Sequence, residues 1–317
     1  MPEQLTPSQQ ALMEKVAAFA SETLEPRRDM PADQARREVI EASRKAGFFA
    51  MTQPASFGGS EATTLELTLV RDELAAANAP HTGAVFGPGP GVLAEVDEPL
   101  RSRYLAPLLA GDKRGGFAFT EPDDAPAPTR AVEDGDTLVI TGQKSYVTGG
   151  ADADFINALV QIGDQGPAMV VIDTALPGVE ITRRFSSIDG SRHAAFRFDE
   201  ARVPRGHIIG TPGEGMPRAM RQIGDTRLQI AAQCAGTMRW VLGYLTDHLL
   251  QPDRSGKPRG SREGVRLRYA ELRIRAFAAR SMIYRTARLA DAGENVVNEG
   301  MACKVFATET LGEVVDL

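Results

Sequence analysis

The sequence predicts an α+β fold in three parts: an N-terminal helical domain, a central small antiparallel β domain and a C-terminal helical bundle. Apolar residues recur at helical spacing towards both ends of the chain. Between these regions, short apolar runs are separated by Gly, Pro and Asp, a pattern that is typical of strands and turns. The change of period places the three domains at residues 1–112, 113–212 and 213–317.

The composition indicates a globular chain with a sizeable core. The chain has 317 residues, 42% of them hydrophobic, and its net charge of −6 offers no basic surface for nucleic acid or an anionic membrane. No apolar run approaches the roughly 20 residues of a spanning helix, and no signal peptide is evident, so a cytoplasmic protein is expected. Cys234 and Cys303 fall in helical patterns and are expected to be core thiols. The four histidines are scattered, so no metal site is expected.

Helix signals follow one another along the first domain. Thr6-Pro7-Ser8-Gln9 reads as an N-cap, a proline in the first turn and a capping-box glutamine. A second helix is predicted from Asp33 to a stop at Gly47, and a third begins at Thr63. The run Gly87 to Gly91 breaks the pattern before another short helix, and the last helix of the domain covers Leu100 to Leu109.

The middle of the chain changes to the period of strands. It opens with Phe-Ala-Phe-Thr-Glu-Pro at Phe117–Pro122, passes through a Pro/Ala/Asp loop and continues as a hairpin pattern over Asp134–Gly150. The remaining strand candidates are Phe155 to Ile162, Ala168 to Ile172, Val179 to Arg184 and Ala194 to Phe198.

Three long helices are predicted after the sheet. They cover Pro217 to Leu250, Ser261 to Ala290, and Glu294 onwards. The third is still amphipathic at Leu311 and Val314, so we expect the natural chain to continue beyond residue 317.

The segment Phe117–Gly150 is the candidate site. Both of its strand ends carry an aromatic residue and a threonine, which could hold a flat heterocycle by stacking and by hydrogen bonds to its edge. The same residues would also suit an ordinary hairpin whose threonines face water. Residue types alone do not separate these interpretations.

Several motifs in register resemble the acyl-CoA dehydrogenase family over the whole chain. The one that follows the predicted site strand, Phe119-Thr120-Glu121-Pro122, resembles the (Val/Leu)-Thr-Glu-Pro motif of the family. The others are Phe57-Gly58-Gly59, Tyr104 to Gly111, Gly142 to Gly150, Phe198 to Pro204, Gly213-Glu214-Gly215 and Arg227-Leu228.

The resemblance implies an FAD flavoprotein that oxidises an acyl thioester between its α- and β-carbons, in lipid and fatty acid metabolism. Its substrate would be an acyl-CoA or acyl-carrier-protein thioester, its electron acceptor an electron-transfer flavoprotein, and its assembly a homo- or hetero-oligomer, dimer or tetramer. The matching flavin positions are Phe117, Phe119, Thr120, Tyr146, Val147 and Thr148. Those matching the helix along the CoA or acyl chain are Asp225, Thr226 and Arg227.

The chain departs from the family pattern at two loops. Ala125-Pro126-Ala127 stands where most members have Gly-Ser-Asp, so a backbone donor and a hydroxyl are lost. Pro252 to Gly256 stands where they have Arg-x-x-Phe-Gly; Arg254 or Lys257 could replace the arginine, although both are expected to face solvent.

The catalytic base is not identifiable by resemblance. Most members carry a glutamate nearer the C-terminus than this sequence reaches, and a minority carry it at the position of Thr226. Asp225 is adjacent, but one residue along a helix turns the side chain by about 100°, so a solvated surface carboxylate is its expected role and catalysis the weaker alternative.

Three interpretations remain open from the sequence. The first is an FAD-dependent acyl-CoA dehydrogenase, favoured by the intact aromatic and threonine segments. The second is a non-catalytic or flavin-poor subunit of a hetero-oligomeric dehydrogenase, favoured by the two altered loops. The third, more remote, is an acyl oxidase or flavin monooxygenase on the same scaffold.

Overall fold

The computed structural model describes residues 5–188 and 191–316 and divides the chain into two compact units. One unit combines Met1–Gly87 with Gly224–Leu317, and the other is Pro88–Ile223. The helices of the two chain ends therefore share one unit, and the sheet lies in the other. The predicted order of helical, β and helical parts is confirmed, while the domain boundaries at residues 112 and 212 stay predictions.

Seven α-helices order the helical parts of the described chain. Their bounds are Pro7–Phe19 (α1), Ala32–Ala46 (α2), Thr64–Ala76 (α3), Ala106–Ala110 (α4), Gly215–Leu250 (α5), Glu263–Asp291 (α6) and Val297–Asp316 (α7). The predicted caps are confirmed. Thr6 and Thr63 each begin a capping box, with Gln9 and Glu66 as the reciprocal partners. Gly47 ends α2 with φ of 83°, a left-handed conformation that glycine adopts without strain.

The predicted helix after Gly91 is wrong. Gly91–Leu93 forms only one 3₁₀ turn, and Gly91 has φ of 53°. The backbone N–H of Val92 donates to the Gln222 side chain at 2.9 Å. This donor belongs to the first turn, whose N–H groups have no intrahelical partner, so Gln222 caps the turn.

A buried charge cluster holds α3, α5 and α6 together. Asp72 is fully buried and accepts hydrogen bonds from Arg280 Nε at 2.8 Å, from Arg239 Nη1 at 3.0 Å and from the Tyr284 hydroxyl. Burial lowers the pKa of each arginine, but the neighbouring groups raise it by more. These groups are Asp72 and Glu73 for Arg239, and Asp72 and Tyr284 for Arg280. The net pKa of each arginine is therefore raised, and both remain charged. Cys234 and Cys303 are buried free thiols in the apolar part of this unit, as predicted.

The described residues of the second unit form an eight-stranded sheet. Its strands are Gly115–Ala118 (β1), Arg130–Asp134 (β2), Thr137–Thr148 (β3), Phe155–Ile162 (β4), Gly166–Asp173 (β5), Val179–Ser186 (β6), Arg192–Pro204 (β7) and Ile208–Ile209 (β8). The order is β6-β7-β3-β2-β4-β5-β8, and β1 pairs with β4.

The sheet is antiparallel at most pairings, as predicted, and it also contains two parallel pairings that were not predicted. β4 pairs in parallel with both β1 and β2. These strands are joined through longer connections rather than tight turns, and such connections allow parallel pairing. No helix among the described residues is long and apolar enough to cross a membrane.

Candidate functional site

The first part of the candidate site is the end of β1. Phe117 lies on the strand and Phe119 just after it, and because side chains alternate along a strand both rings leave the same face. Their rings lie 6.1 Å apart and are nearly parallel, at 6°. Ala118 points the other way into the core, where it is fully buried. Thr120 follows in an exposed position.

An unsatisfied amide group lies beside this aromatic pair. Asn157 on β4 is the direct neighbour of Phe117 in the parallel pairing. It is buried, yet its Oδ1 atom has no hydrogen-bond partner among the described residues. Buried polar atoms in folded proteins are almost always paired, so an orphan here marks a place where a polar group of a ligand could bind.

The second part is the end of β3, where a bulge changes which side chains face the core. Tyr146 adopts φ of 55°, and the pairing with β7 shifts register between Lys144 and Val147. The bulge leaves Tyr146 68% exposed and turns Val147 into the core, where it is fully buried. Thr148 is exposed again.

The alternation corrects one aspect of the predicted site. Tyr146 and Thr148 present side chains to the outer face, but the side chain of Val147 does not. Val147 fills the space beside Gly116 and Gly150, where an added Cβ atom would come within 3.0 Å of its side chain. Any contact of Val147 with a ligand is therefore restricted to its backbone.

The two parts are joined by an ion pair between a buried lysine and a half-buried glutamate. Lys144 is 1% exposed, and its Nζ donates to Glu121 Oε1 at 2.8 Å and to the Phe119 carbonyl at 3.2 Å. The backbone N–H of Ser145 also donates to the Thr120 carbonyl at 2.9 Å. The predicted segments 117–120 and 146–148 are thus fixed to each other.

Glu121 is held as a carboxylate by its partners. Burial raises its pKa, but Lys144 and the Thr129 backbone N–H, at 2.9 Å, lower it further than burial raises it. Burial also lowers the pKa of Lys144, and Glu121 offsets only part of that effect. The 2.8 Å contact, with a further donor on the same carboxylate, is typical of a charged pair.

Lys144 and Glu121 were not predicted as site residues. Both occur in the motifs that carry the family resemblance, but their contact joins positions 23 residues apart and needs the tertiary fold. The one local signal is Gly142, where an added Cβ atom would lie 2.5 Å from Thr129 Cα. Only glycine allows this close approach, which places the Thr129 hydroxyl 2.9 Å from the Gln143 carbonyl.

An aromatic and imidazole group extends the outer face beside Thr148. His193 on β7 is the direct neighbour of Thr148 and also of Phe185 on β6. Phe185 stacks on His193 at 5.5 Å and meets Tyr146 edge to face at 5.5 Å. His193 Nε2 is hydrogen-bonded to the Ser187 hydroxyl at 2.6 Å, but its buried Nδ1 has no partner among the described residues. Sequence analysis missed these residues, since nothing local marks them.

The altered loops keep their own internal order. In the first, Ala125 donates its backbone N–H to the Pro122 carbonyl at 3.1 Å. In the second, the Asp253 carboxylate accepts from the Ser255 backbone at 2.7 Å. Arg254 and Lys257 are exposed, as the sequence predicts.

The segment predicted to contact the CoA or acyl chain, residues 225–227, lies in the helical unit. Asp225 and Thr226 are exposed on α5, and Arg227 is half-buried. The charge of Asp225 acts on the buried guanidinium of Arg71 on α3. Catalysis by Asp225 stays a prediction.

Comparison with known proteins decides the family. The models described as acyl-CoA dehydrogenase N-terminal, middle and C-terminal domains match residues 6–112, 116–201 and 213–317. The chain belongs to the acyl-CoA dehydrogenase family. Members of this family are FAD flavoproteins.

Individual members are related to this chain at moderate identity. An acyl-CoA dehydrogenase of Bacillus subtilis is 27% identical, over 95% of this chain and 84% of its own length. A subunit of the caffeyl-CoA reductase–Etf complex of Acetobacterium woodii is 24% identical, over 88% and 77%. A solved structure from Mycobacterium abscessus, titled "probable acyl CoA dehydrogenase", is 29% identical with a TM-score of 0.84, over 98% of this chain and 87% of that one.

The residues on the outer face fit a flavin. Three aromatic rings, two threonine hydroxyls and the unsatisfied atoms of Asn157 and His193 accompany the segments 117–120 and 146–148. A flavin is a flat heterocycle with an apolar face and a polar edge, and this combination of stacking and hydrogen-bonding groups matches it.

Proposed function

We propose that this chain is an FAD-dependent acyl-CoA dehydrogenase that removes the α-proton and the β-hydride of an acyl thioester. The observation that carries the proposal is the joining of the two matching segments by the Lys144–Glu121 pair. Burying a charged side chain is costly, and Lys144 is only 1% exposed. A hairpin that simply faces solvent would not need such a residue to fix its position relative to a neighbouring strand.

The chain's residues have separable roles in this proposal. FAD, once bound, supplies at its N5 atom the acceptor for the hydride that leaves the β-carbon. Phe117, Phe119 and Tyr146 exclude water from the ring, and the exposed hydroxyls of Thr120 and Thr148 hydrogen-bond its polar edge. Asp225, Thr226 and Arg227 line the path of the acyl thioester. No carboxylate of this chain is assigned as the base.

We further propose the partners that this reaction requires. The substrate is an acyl-CoA or an acyl-carrier-protein thioester, and the reduced flavin passes its electrons to an electron-transfer flavoprotein. The relative from Acetobacterium woodii is itself a subunit of a reductase–Etf complex, which supports such a partner and also a reaction that runs in the reductive direction.

A second candidate function is a flavin-poor partner subunit of a hetero-oligomer. The loop Ala125-Pro126-Ala127 lacks a serine hydroxyl and one backbone donor, and Pro252 stands where most members have an arginine. Arg254 and Lys257, which could replace that arginine, are exposed.

An anaerobic titration separates these functions. The purified chain, supplied with FAD, is titrated with acyl-CoAs of increasing length while the visible flavin band is recorded, and the products are weighed by mass spectrometry. Bleaching with loss of two hydrogens from the acyl group is expected. Flavin binding only with a co-expressed partner would instead support the second function. Rapid reoxidation of the flavin with peroxide formation, once air is admitted after the titration, would support an oxidase.

A further inference from the structure

Arg71 on α3 is a buried arginine that makes little use of its hydrogen-bonding capacity. It is 7% exposed, and its guanidinium lies 4.5 Å from the centre of the Phe86 ring. The described residues give it a single hydrogen bond, from Nη1 to the Leu67 carbonyl at 3.3 Å. A guanidinium has five N–H donors, so several remain for a ligand.

The neighbouring arginines show what a structural arginine looks like in this bundle. Arg239 and Arg280 both pair with Asp72, the residue after Arg71, and both have raised pKa values. Arg71 makes no ion pair of this kind among the described residues. Burial lowers its pKa to about 10, an effect that the charge of Asp225 only partly offsets.

The position of Arg71 connects it to the proposed acyl path. On one side its guanidinium packs on Phe86, which directly precedes the Gly87–Gly91 break. The charge of Asp225, the first residue of the segment proposed to line the acyl chain, also acts on this guanidinium. The Phe86 ring and one carbonyl do not neutralise this buried cation, and Asp225 offsets the effect of burial on its pKa only in part.

We propose that Arg71 binds a carboxylate carried by the acyl group, so that the preferred substrates are acyl thioesters with a second, distal carboxylate. This inference rests on the proposed function. The planar guanidinium can hold a carboxylate by two parallel hydrogen bonds. No other step of the proposed reaction changes.

The test compares hexanoyl-CoA with adipoyl-CoA, which have equal chain length and differ by the distal carboxylate. Dissociation constants are measured by calorimetry on the FAD-loaded protein, and bleaching of the flavin is followed in parallel. Wild type is expected to bind adipoyl-CoA about tenfold or more tightly than hexanoyl-CoA. Arg71→Met should abolish this preference and leave hexanoyl-CoA binding unchanged.

Two further variants keep the result interpretable. Arg44→Met removes an exposed arginine that stacks on Phe49 at 4.6 Å, and it should keep the preference. Arg71→Lys should keep part of the preference, because it retains the charge but not the paired donors. Circular dichroism verifies that each variant is folded.

The outcomes distinguish this inference from the proposed function. Equal binding of the two thioesters by wild type, with bleaching by both, overturns the role of Arg71 and leaves the dehydrogenase intact. Binding of free adipate but no preference for adipoyl-CoA would assign the site to a free anion and also overturn it. If neither thioester binds or bleaches the flavin, the proposed function fails and this inference with it.

Discussion

Lys144 is a charged residue on the buried side of β3. Its neighbours along β3 on that side, Ile140 and Val147, are apolar and fully buried. Its ammonium group is tolerated there because Glu121 and the Phe119 carbonyl both accept from it. The pair fixes the loop that follows β1 to the end of β3. A residue without direct access to a ligand can in this way set the geometry of a ligand-binding face.

Removing the charge of Glu121 should destabilise the protein in a pH-dependent way. Because its folded pKa lies below the ordinary value of 4.5, its contribution is fully present above that value and is lost as the pH falls through the lower folded pKa. Glu121→Gln should therefore lower the free energy of unfolding by about 2 kcal/mol at neutral pH. Denaturant unfolding of both proteins should converge in acid.

The control for this prediction is an ion pair at the surface. Glu41→Gln removes the exposed partner of Lys45 on α2 and should change stability far less at neutral pH. A loss for Glu121→Gln that is no larger than that of Glu41→Gln would refute the structural role of the Lys144–Glu121 pair.

Thr148 is the residue whose hydroxyl we place at the edge of the flavin. Thr148→Ala should weaken FAD binding or slow flavin reduction by about tenfold, since one hydrogen bond to a charged or polarised group is lost. Thr141→Ala changes an exposed threonine of the same strand, away from the site, and should leave both quantities unchanged. Equal behaviour of the two variants in fluorescence titration and stopped-flow reduction would remove Thr148 from the site.

At the scale of elements, α3 begins on a carboxylate supplied by the end of α6. The backbone N–H groups of Thr64 and Leu65 donate to Asp291 at 2.6 and 3.0 Å. The Thr63 side chain caps the same turn by accepting a hydrogen bond from the Glu66 backbone N–H. A negative charge at a helix N-terminus satisfies orphan donors and is favoured by the helix dipole.

Asp291→Ala should therefore lower the free energy of unfolding by about 1 kcal/mol. Asp247→Ala removes an exposed carboxylate from α5 and serves as the matched control, with a change within about 0.5 kcal/mol. Equal midpoints of chemical unfolding for the two variants would show that Asp291 does not cap α3.

The elements differ in how far the sequence predicts them. Caps such as Thr6 and Thr63 and the stop at Gly47 are local signals and were predicted correctly. The parallel pairing of β1 with β4 depends on contacts between distant residues and was missed. The bulge at Tyr146 was missed for the same reason, because it depends on the register with β7, and with it the burial of Val147.

The site follows the same division. Aromatic residues and threonines at two strand ends could be read from the sequence as one face. The groups that complete the face, Asn157 and His193, lie on other strands, and their placement depends on pairing that the sequence does not display. The Lys144–Glu121 pair was visible as two motif residues but not as a contact.

At the scale of the whole molecule, the long helices carry large apolar side chains on their surface. Tyr244 on α5, Ile274 and Phe277 on α6 and Val305 on α7 are 65%, 67%, 58% and 51% exposed. Single exposed apolar side chains are ordinary, whereas a contiguous apolar patch marks a contact with another chain. The predicted oligomer requires that these side chains form such a patch.

The oligomer can be tested by light scattering after size-exclusion chromatography. The wild-type chain should run as a dimer or tetramer, and Ile274→Arg combined with Phe277→Arg should shift it towards monomer. Arg266→Glu, an exposed change on the same helix, should leave the mass unchanged. A wild-type chain of monomeric mass at micromolar concentration would contradict the prediction, unless a partner protein restores the assembly.

The outer face of β1 and β3 is proposed to bind a flavin, and an equilibrium titration with FAD tests this binding. Flavin fluorescence is recorded as the chain is added, for wild type and for a variant with Phe117, Phe119 and Tyr146 all changed to leucine. The wild type should bind one FAD per chain with strong quenching, because the ring stacks on aromatic side chains. The variant should lose most of the affinity while staying folded. Unquenched fluorescence in the wild type, or equal affinity in the two proteins, would contradict the claim.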